Sequence, residues 1–223
     1  MNSLSLNQIA YNLQNAIEGN RPAPYEYISL DQVKFIIKYY RSLYIRRDAQ
    51  KNGNRLELFE QDLGLLSTEQ VNSSENDTTL STHFLRRTSK KIPTPIRLKR
   101  KPGLTYIATV GKFNEPFPLV NSARSYYKQY DKYTPKDKYA IYQNGYVYLE
   151  NAVATDKLNV RGVFEDPEQV FEFLRTNGSE LYDENEPFPI SQDMIESITK
   201  NIIQGEITMF QQPANSTPNS EAK

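Results

Sequence analysis

The spacing of apolar residues predicts two helices in the first quarter of the chain. Leucine, isoleucine and alanine recur every three or four residues over roughly 5–18, the period of an amphipathic helix. A second and longer helix is predicted over roughly 30–50. Ser29 is suited to cap this helix, because Gln32 follows three residues later and completes a capping box. Residues 1–53 are therefore predicted to be mainly helical.

The middle of the chain, 54–164, has short apolar runs separated by Gly, Pro and Asn, a pattern typical of β-strands and turns. A polar stretch at 72–82 is predicted to be a loop. The strongest local signal is YAIYQNGYVYL at 139–149, where Asn144-Gly145 predicts a type I′ hairpin. The predicted register pairs Gln143 with Tyr146, Tyr142 with Val147, Ile141 with Tyr148 and Ala140 with Leu149.

This hairpin has no charged residue on either face. An antiparallel hairpin with one face in water alternates more clearly between apolar and polar residues. We therefore expect both faces to be covered, one of them by a neighbouring subunit. The candidate subunit-interface residues are those of the tyrosine-rich face, namely Tyr139, Ile141, Tyr146 and Tyr148.

Two more helices are predicted near the C-terminus, within 165–210. Asp166 is a suitable N-cap for the first, with Pro167 at the first helical position. Ser191 is the predicted cap of the second. The polar, low-complexity residues 211–223 are predicted to form a flexible tail. The chain thus reads as one α+β domain over 1–210, helical at 1–53 and 165–210 and β-rich at 54–164.

The charges of the chain are segregated, although their sum is zero. Residues 84–114 hold nine Lys and Arg and no acidic residue, whereas residues 163–196 hold ten Asp and Glu and one Arg. Opposed charges of this kind suit a protein that contacts a copy of itself through two different surfaces. The alternative is that the two stretches pair within one subunit.

The basic segment, FLRRTSKKIPTPIRLKRKPGL at 84–104, is the main candidate for an interface or for a DNA-facing surface in a channel. Its prolines favour an extended connector. It lacks the interleaved aromatic residues of a base-stacking platform, so as a nucleic-acid element it would contact phosphates without reading bases. A solvated basic loop is the third reading. The candidate residues are Arg86, Arg87, Lys90, Lys91, Arg97, Lys99, Arg100 and Lys101.

Nothing in the sequence indicates an enzyme. The chain has no Cys and a single His, His83, which argues against thiol chemistry, histidine metal sites and Ser–His catalysis. Nucleotide-binding and hydrolase motifs are missing as well. We expect no cofactor and no metal. No apolar run approaches the roughly 20 residues that span a bilayer, and no signal-peptide pattern begins the chain, so we expect no membrane partner.

Several stretches together resemble one known family. They are LFEQDLGLLSTEQVNSSE, FLRRTSKKIPTPI, YQNGYVYL, NVRGVFEDPEQVFEF and PFPISQDMIESITKNIIQGEI, which follow two N-terminal helices. In this order they are similar to the head-to-tail adaptor, or ring, proteins of short-tailed bacteriophages, particularly crAss-like phages. The likeness covers most of residues 1–210, and its most specific parts are the QDLG run and the strand–helix–helix close.

The resemblance implies a structural virion protein without an active site. It implies an α+β fold in which the N- and C-terminal segments form a helical bundle and the β-rich module projects from it. Family members form a ring, usually of twelve subunits, below the portal. They extend the DNA channel and dock further tail ring or nozzle proteins. The expected location is the virion tail, after assembly in the host cytoplasm. The alternative function is non-specific nucleic-acid binding by residues 86–101.

Overall fold

The computed structural model describes most of the chain, and the predicted loop at 72–82, the tail at 211–223 and Arg100 lie outside the described residues. The described residues are 4–17, 29–51, 56–71, 84–99, 101–111, 115–121, 124, 127, 137–152, 155–176 and 185–202. No described helix is both long enough and apolar enough to cross a membrane.

The described residues form a mixed fold of helices and strands. The four α-helices are α1 (Leu6–Ile17), α2 (Leu30–Lys51), α3 (Pro167–Thr176) and α4 (Gln192–Asn201). The six strands are β1 (Gln61–Gln70), β2 (Phe84–Thr88), β3 (Leu104–Thr109), β4 (Tyr139–Gln143), β5 (Tyr146–Glu150) and β6 (Lys157–Gly162). A short 3₁₀ helix, Leu56–Phe59, precedes β1. The predicted α+β class is confirmed at this level.

The chain divides into two compact units. The first comprises Met1–Arg41 and Glu184–Lys223, and the second comprises Ser42–Asp183. The boundary falls within α2, after its third turn. The prediction that residues 1–210 make up one domain stays a prediction.

The first unit contains α1, the beginning of α2, and α4. Its buried apolar residues come from all three helices and include Leu13, Val33 and Ile198. The segment before α1 is held to the segment before α4, where Ser5 bridges Pro187 and the Phe188 amide donates to the Leu4 carbonyl at 3.0 Å. The two ends of the chain therefore share one unit, but the predicted helical bundle is not confirmed.

A charged residue completes the buried row of α2 in this unit. Val33, Ile37 and Arg41 follow one another at four-residue intervals, and Arg41 is fully buried. Its Nε donates to the Pro189 carbonyl at 2.7 Å, and its guanidinium lies 5.6 Å from the centre of the Phe188 ring. A buried guanidinium needs such partners, because desolvation of an unpaired charge is costly.

The second unit is built on one six-stranded sheet. The strand order is β3-β6-β1-β2-β5-β4, and each neighbouring pair is antiparallel. β1 is the long strand that joins the two halves, because it pairs with β6 over Gln61–Ser67 and with β2 over Thr68–Gln70. An irregularity between Asp62 and Leu65 interrupts its register at Gly64, whose φ of 69° favours glycine.

A short segment, 115–121, contacts both edge strands of this sheet. On one side Pro116 bridges Ala108 of β3, and the Phe117 amide donates to the Ile107 carbonyl at 2.7 Å. On the other side Leu119 bridges Ala140 of β4 in parallel. The segment thus connects the first and last strands of the order. Covering the open edges removes the exposed backbone donors and acceptors that promote sheet-to-sheet aggregation.

The main core of the second unit lies on the inner face of the sheet and beneath α3. Each strand except β2 contributes described residues to it, and Val170 adds the inner face of α3. The register irregularity in β1 allows Leu63 and Leu66, three residues apart, to share this core. The buried members are Leu63, Leu66, Ile92, Leu104, Ile107, Phe117, Ala140, Val147, Leu149, Ala152, Leu158, Val160, Phe164 and Val170.

The predicted hairpin is confirmed pair by pair. β4 and β5 pair in the predicted register, from Ala140 with Leu149 to Gln143 with Tyr146, and one further pair joins Tyr139 to Glu150. Asn144 and Gly145 have φ values of 53° and 85°. Two consecutive positive φ angles are the requirement of a type I′ turn.

Candidate assembly interface

The basic segment (84–104) is anchored in the sheet over much of its length. It begins as β2, which lies between β1 and β5, and it ends at the first residue of β3. Between these strands the Ile92 amide donates to the Gly145 carbonyl at 2.8 Å, and the Thr94 carbonyl accepts from the Glu165 amide at 2.9 Å. Part of the predicted connector is therefore a central strand, and the rest is held by backbone hydrogen bonds.

The first two candidate cations, Arg86 and Arg87, make ion pairs within the sheet. Arg86 Nη2 lies 2.9 Å from an oxygen of Asp156, and Arg86 Nε donates to the Thr68 hydroxyl at 3.1 Å. Arg87 Nε lies 2.8 Å from an oxygen of Glu69. Both carboxylates lie outside the acidic stretch at 163–196. These arginines thus connect β2 to nearby parts of the sheet. Their partners could not be identified from the basic and acidic stretches of the sequence.

Arg87 also forms part of a small aromatic–cation cluster on the hairpin. Its guanidinium lies 4.4 Å from the centre of the Tyr146 ring, and the Lys91 ammonium lies 5.8 Å from the same ring. Both distances are within the range of cation–π attraction. The Lys91 stem also packs close to Gly145, where an added Cβ would lie 3.4 Å from the lysine chain. Arg87 and Lys91 therefore hold the hairpin turn as well as carrying charge.

Three more candidate cations, Arg97, Lys99 and Lys101, lie on a tight turn between Arg97 and Pro102, which we call the basic turn. Arg97 bridges Pro102, and the Leu98 amide donates to the Lys101 carbonyl at 3.1 Å. Below the bridge, the Gly103 amide donates to the Ile96 carbonyl at 2.7 Å. The turn is closed by its own backbone, so its side chains project from a fixed base.

The base of the basic turn is fixed to the end of β6. The Ile96 amide donates to the Val163 carbonyl at 2.8 Å, and the Val163 amide donates to the Gly103 carbonyl at 2.8 Å. A Cβ at Gly103 would lie 2.9 Å from the Val163 carbonyl oxygen and 3.0 Å from that of Ile96. Glycine is required here because two other backbone segments approach it closely.

Three cations of the basic turn point into solvent. Arg97, Lys99 and Lys101 are exposed, and none of them makes an ion pair with a described residue. They alternate along the turn, with the partly buried Leu98 between the first two. Among the candidate cations that the structure describes, Arg86, Arg87 and Lys91 therefore brace the sheet and its hairpin. The three cations of the basic turn are instead presented outward.

Lys90 lies between these two groups. It is exposed, and its ammonium donates to the Thr176 carbonyl at 3.4 Å, at the end of α3. A cation at this end of a helix interacts favourably with the helix dipole. Beside it lies a groove of about 200 Å³, whose lining includes Leu65 and Phe173. Lys90 therefore has a structural contact but stays accessible.

The tyrosine-rich face of the hairpin is largely covered within one chain. Tyr139, Ile141 and Tyr148 are at most 2% exposed and form a second apolar cluster with Val71. Tyr146 is half-buried at the margin of this cluster, with its ring 6.3 Å from that of Tyr148. The prediction that both faces are covered is confirmed, and the assignment of this face to a subunit interface stays a prediction.

The phenol of Tyr142 has a shifted pKa. Burial raises the pKa of the Tyr142 phenol above its ordinary value of 10.0, and the nearby Glu165 carboxylate raises it further. Within the part of the chain that the structure describes, no group of three or more His, Cys, Asp or Glu could hold a metal ion.

Sequence reasoning missed the residues that position the basic segment. Glu69 and Asp156 are the carboxylates that pair with Arg87 and Arg86, and they lie 18 and 70 positions away along the chain. No sequence signal points to Gly103, whose close neighbours are backbone atoms of Ile96 and Val163. In the β1–β2 register Arg87 and Glu69 face each other, so this register would have indicated their ion pair. The sequence does not determine the register, however, because a long loop connects the two strands.

The second unit thus has a sheet with bridged edges and an exposed basic turn with a fixed backbone. Such a surface suits a protein that works by contact with other macromolecules. Comparison with known families agrees with this class. The model of the family described as phage tail ring protein 2 matches residues 8–222, nearly the whole chain. The chain therefore belongs to this family of crAss-like phage tail ring proteins, and it is a structural protein of the phage tail. No curated protein matches the chain.

Proposed function

We propose that this protein forms a ring of the head-to-tail connector, below the portal of the virion. Twelve subunits make up the ring in this proposal, extend the channel for the genomic DNA and dock the other ring and nozzle proteins of the tail. The observation that carries the proposal is the family match over residues 8–222. The ring is assembled in the host cytoplasm and acts without a cofactor and without enzymatic activity.

The surface of the second unit supports assembly through side chains. Segment 115–121 bridges both edge strands of the sheet, which disfavours assembly by addition of strands. The exposed basic turn offers a charged contact instead. On the hairpin, Tyr146 is the accessible member of the predicted interface face, and in this proposal it contacts a neighbouring subunit. Tyrosine suits such a position, because it buries a large area at a small entropic cost.

Native mass spectrometry tests the ring proposal. The full chain is measured alone and together with the portal protein of the same phage. We expect complexes that contain several copies of the chain for each portal, with twelve copies in the complete assembly. A portal can act as the template for a ring, so a monomer in the sample without portal does not argue against the proposal. The sample that contains the portal is the decisive one. A chain that stays monomeric and never joins the portal would contradict the proposal.

The alternative function, non-specific nucleic-acid binding by residues 86–101, is favoured by one observation. Arg97, Lys99 and Lys101 are exposed and make no ion pair with a described residue. Because Arg86 and Arg87 already hold carboxylates, the alternative depends on the basic turn. It predicts micromolar binding of duplex DNA that falls steeply as salt rises from about 50 to about 200 mM.

A charge-matched pair of variants tests this alternative. The first variant replaces Arg97, Lys99, Arg100 and Lys101 with Ala. The control replaces four exposed cations elsewhere, namely Arg47, Lys51, Lys157 and Lys200. DNA binding by the turn is supported if only the first variant loses affinity in a fluorescence anisotropy titration. An equal loss in both variants would indicate a response to net charge alone and would remove the alternative.

A further inference from the structure

A second turn in the same unit has the opposite charge to the basic turn. The 3₁₀ helix Leu56–Phe59 buries Leu56 and Phe59, which are 3% and 5% exposed. Leu58 lies between them and is 76% exposed, with the exposed Glu57 before it and the partly exposed Glu60 after it. We call residues 57–60 the acidic turn. The buried side chains of Leu56 and Phe59 fix the acidic turn in place, while Leu58 and Glu57 face solvent and Glu60 is partly exposed.

The acidic turn and the basic turn do not neutralise each other within one chain. Neither Glu57 nor Glu60 makes an ion pair with a described residue, and the same holds for Arg97, Lys99 and Lys101. Each turn is nevertheless held rigidly, one by backbone hydrogen bonds and the other by buried side chains. The unit therefore presents two preformed surfaces of opposite charge.

We propose that the basic turn of one subunit docks on the acidic turn of a second copy of this chain. Lys99 and Lys101 approach Glu57 and Glu60 of the neighbour, and Leu98 covers its exposed Leu58. This inference rests on the proposed ring and names the contact that closes it. Two different, complementary patches on each subunit are the requirement for a head-to-tail ring.

The observations favour a second copy over DNA as the partner of the basic turn. The chain has 27 basic and 27 acidic residues, so a surplus of cations on one surface requires a surplus of carboxylates on another. An exposed leucine between two carboxylates is explained by contact with an apolar and basic surface, and duplex DNA offers neither. The acidic turn has a leucine between two carboxylates, and the basic turn has Leu98 between Arg97 and Lys99. The two turns are therefore complementary in charge and in apolar contact.

Site-directed cross-linking tests the contact, because the chain has no Cys of its own. Leu58→Cys and Leu98→Cys each introduce one thiol and leave every charge in place. The two variants are mixed with the portal and treated with a short bis-maleimide. We expect a cross-linked dimer that contains one copy of each variant. A control mixture of Leu58→Cys with Asp137→Cys, an exposed position elsewhere in the unit, should give little product.

Charge reversal on top of the thiols tests the complementarity. Lys99→Glu with Lys101→Glu reverses the basic turn, and Glu57→Lys with Glu60→Lys reverses the acidic turn. When both cysteine variants carry the same reversal, like charges face each other at the proposed contact. We therefore expect the yield of cross-linked dimer to fall at least about tenfold for either reversal alone. The two reversals combined in one chain should restore it, as should mixing copies that carry one reversal with copies that carry the other.

The outcomes separate this contact from the ring proposal. Oligomers seen by native mass spectrometry without the 58–98 cross-link would overturn the contact and leave the ring standing. A chain that stays monomeric with the portal would overturn the ring and, with it, the contact. Salt-sensitive duplex binding that the basic-turn reversal abolishes, in a protein without the cross-link, would assign the turn to DNA and overturn the inference.

Discussion

Arg41 shows what a single residue adds to the helical unit. The other buried residues of α2, namely Val33, Ile37 and Ile45, are all apolar. The structure buries Arg41 completely, with its Nε bonded to the Pro189 carbonyl and its guanidinium against Phe188. The side chain thus connects α2 to the segment that leads into α4. This contact joins residues from the two ends of the chain.

Replacement of Arg41 by Met should destabilise the protein. Met keeps most of the apolar stem but leaves the Pro189 carbonyl without this donor, so we expect the free energy of unfolding to fall by about 1–3 kcal/mol. Arg47→Met is the control, because Arg47 lies on the same helix and is exposed. Urea unfolding followed by circular dichroism measures both. Equal losses of unfolding free energy in the two variants would show that the hydrogen bond from Arg41 to the Pro189 carbonyl does not stabilise the protein measurably.

Tyr142 predicts a pH dependence of stability. Burial and Glu165 raise the pKa of its phenol in the folded state, so above about pH 10 the unfolded chain loses this proton first. The contribution to stability is complete below the unfolded pKa and is lost as pH rises towards the folded pKa. We expect the free energy of unfolding to decline less steeply in Tyr142→Phe than in the natural chain. Parallel curves between about pH 9 and 11 would contradict this.

At the scale of elements, the features that depend on near neighbours could be predicted from the sequence. The hairpin was predicted with its register because Asn144-Gly145 determines the turn and the turn determines the pairs. α1 and α2 agree with the apolar period to within one residue at each end. The Ser29–Gln32 capping box is confirmed by its two hydrogen bonds, of 3.0 and 3.3 Å.

The features that depend on distant pairing could not be predicted. The place of β6 between β3 and β1 joins residues about 50 and 90 positions apart, and no local pattern distinguishes this order from others. No local pattern marks segment 115–121 as a bridge between both edge strands, and this role emerges only from the fold. The candidate cations were found in the sequence, but their division into bracing and exposed groups required the positions of Glu69 and Asp156.

Two predicted helix caps differ in the structure and allow a matched test. Ser29 Oγ accepts from the Gln32 amide at 3.3 Å, whereas Ser191 occupies the N-cap position of α4 without a side-chain cap bond. We therefore expect Ser29→Ala to lower the free energy of unfolding by about 1 kcal/mol and Ser191→Ala to lower it by less. Thermal unfolding of the two variants measures the difference. A larger loss for Ser191→Ala would contradict the cap assignment.

At the scale of the whole molecule, the net charge of zero is the sum of local surpluses of positive and of negative charge. Within the sheet, Arg86, Arg87 and Arg161 each pair with a carboxylate of a neighbouring strand or of the segment next to it. The basic turn and the acidic turn keep their charges exposed. A tail ring protein that carries two such surfaces can join copies of itself in one direction only, which suits a closed ring.

The central claim is that the protein forms a ring of the connector, and one image tests it most directly. The full chain is produced together with the portal protein of the same phage, and the purified complex is examined by electron cryomicroscopy. The account predicts a closed ring of twelve copies stacked on the axis of the portal, with the channel continuing through it. A ring that forms without engaging the portal, or a complex in which the chain forms no closed ring, would contradict the claim.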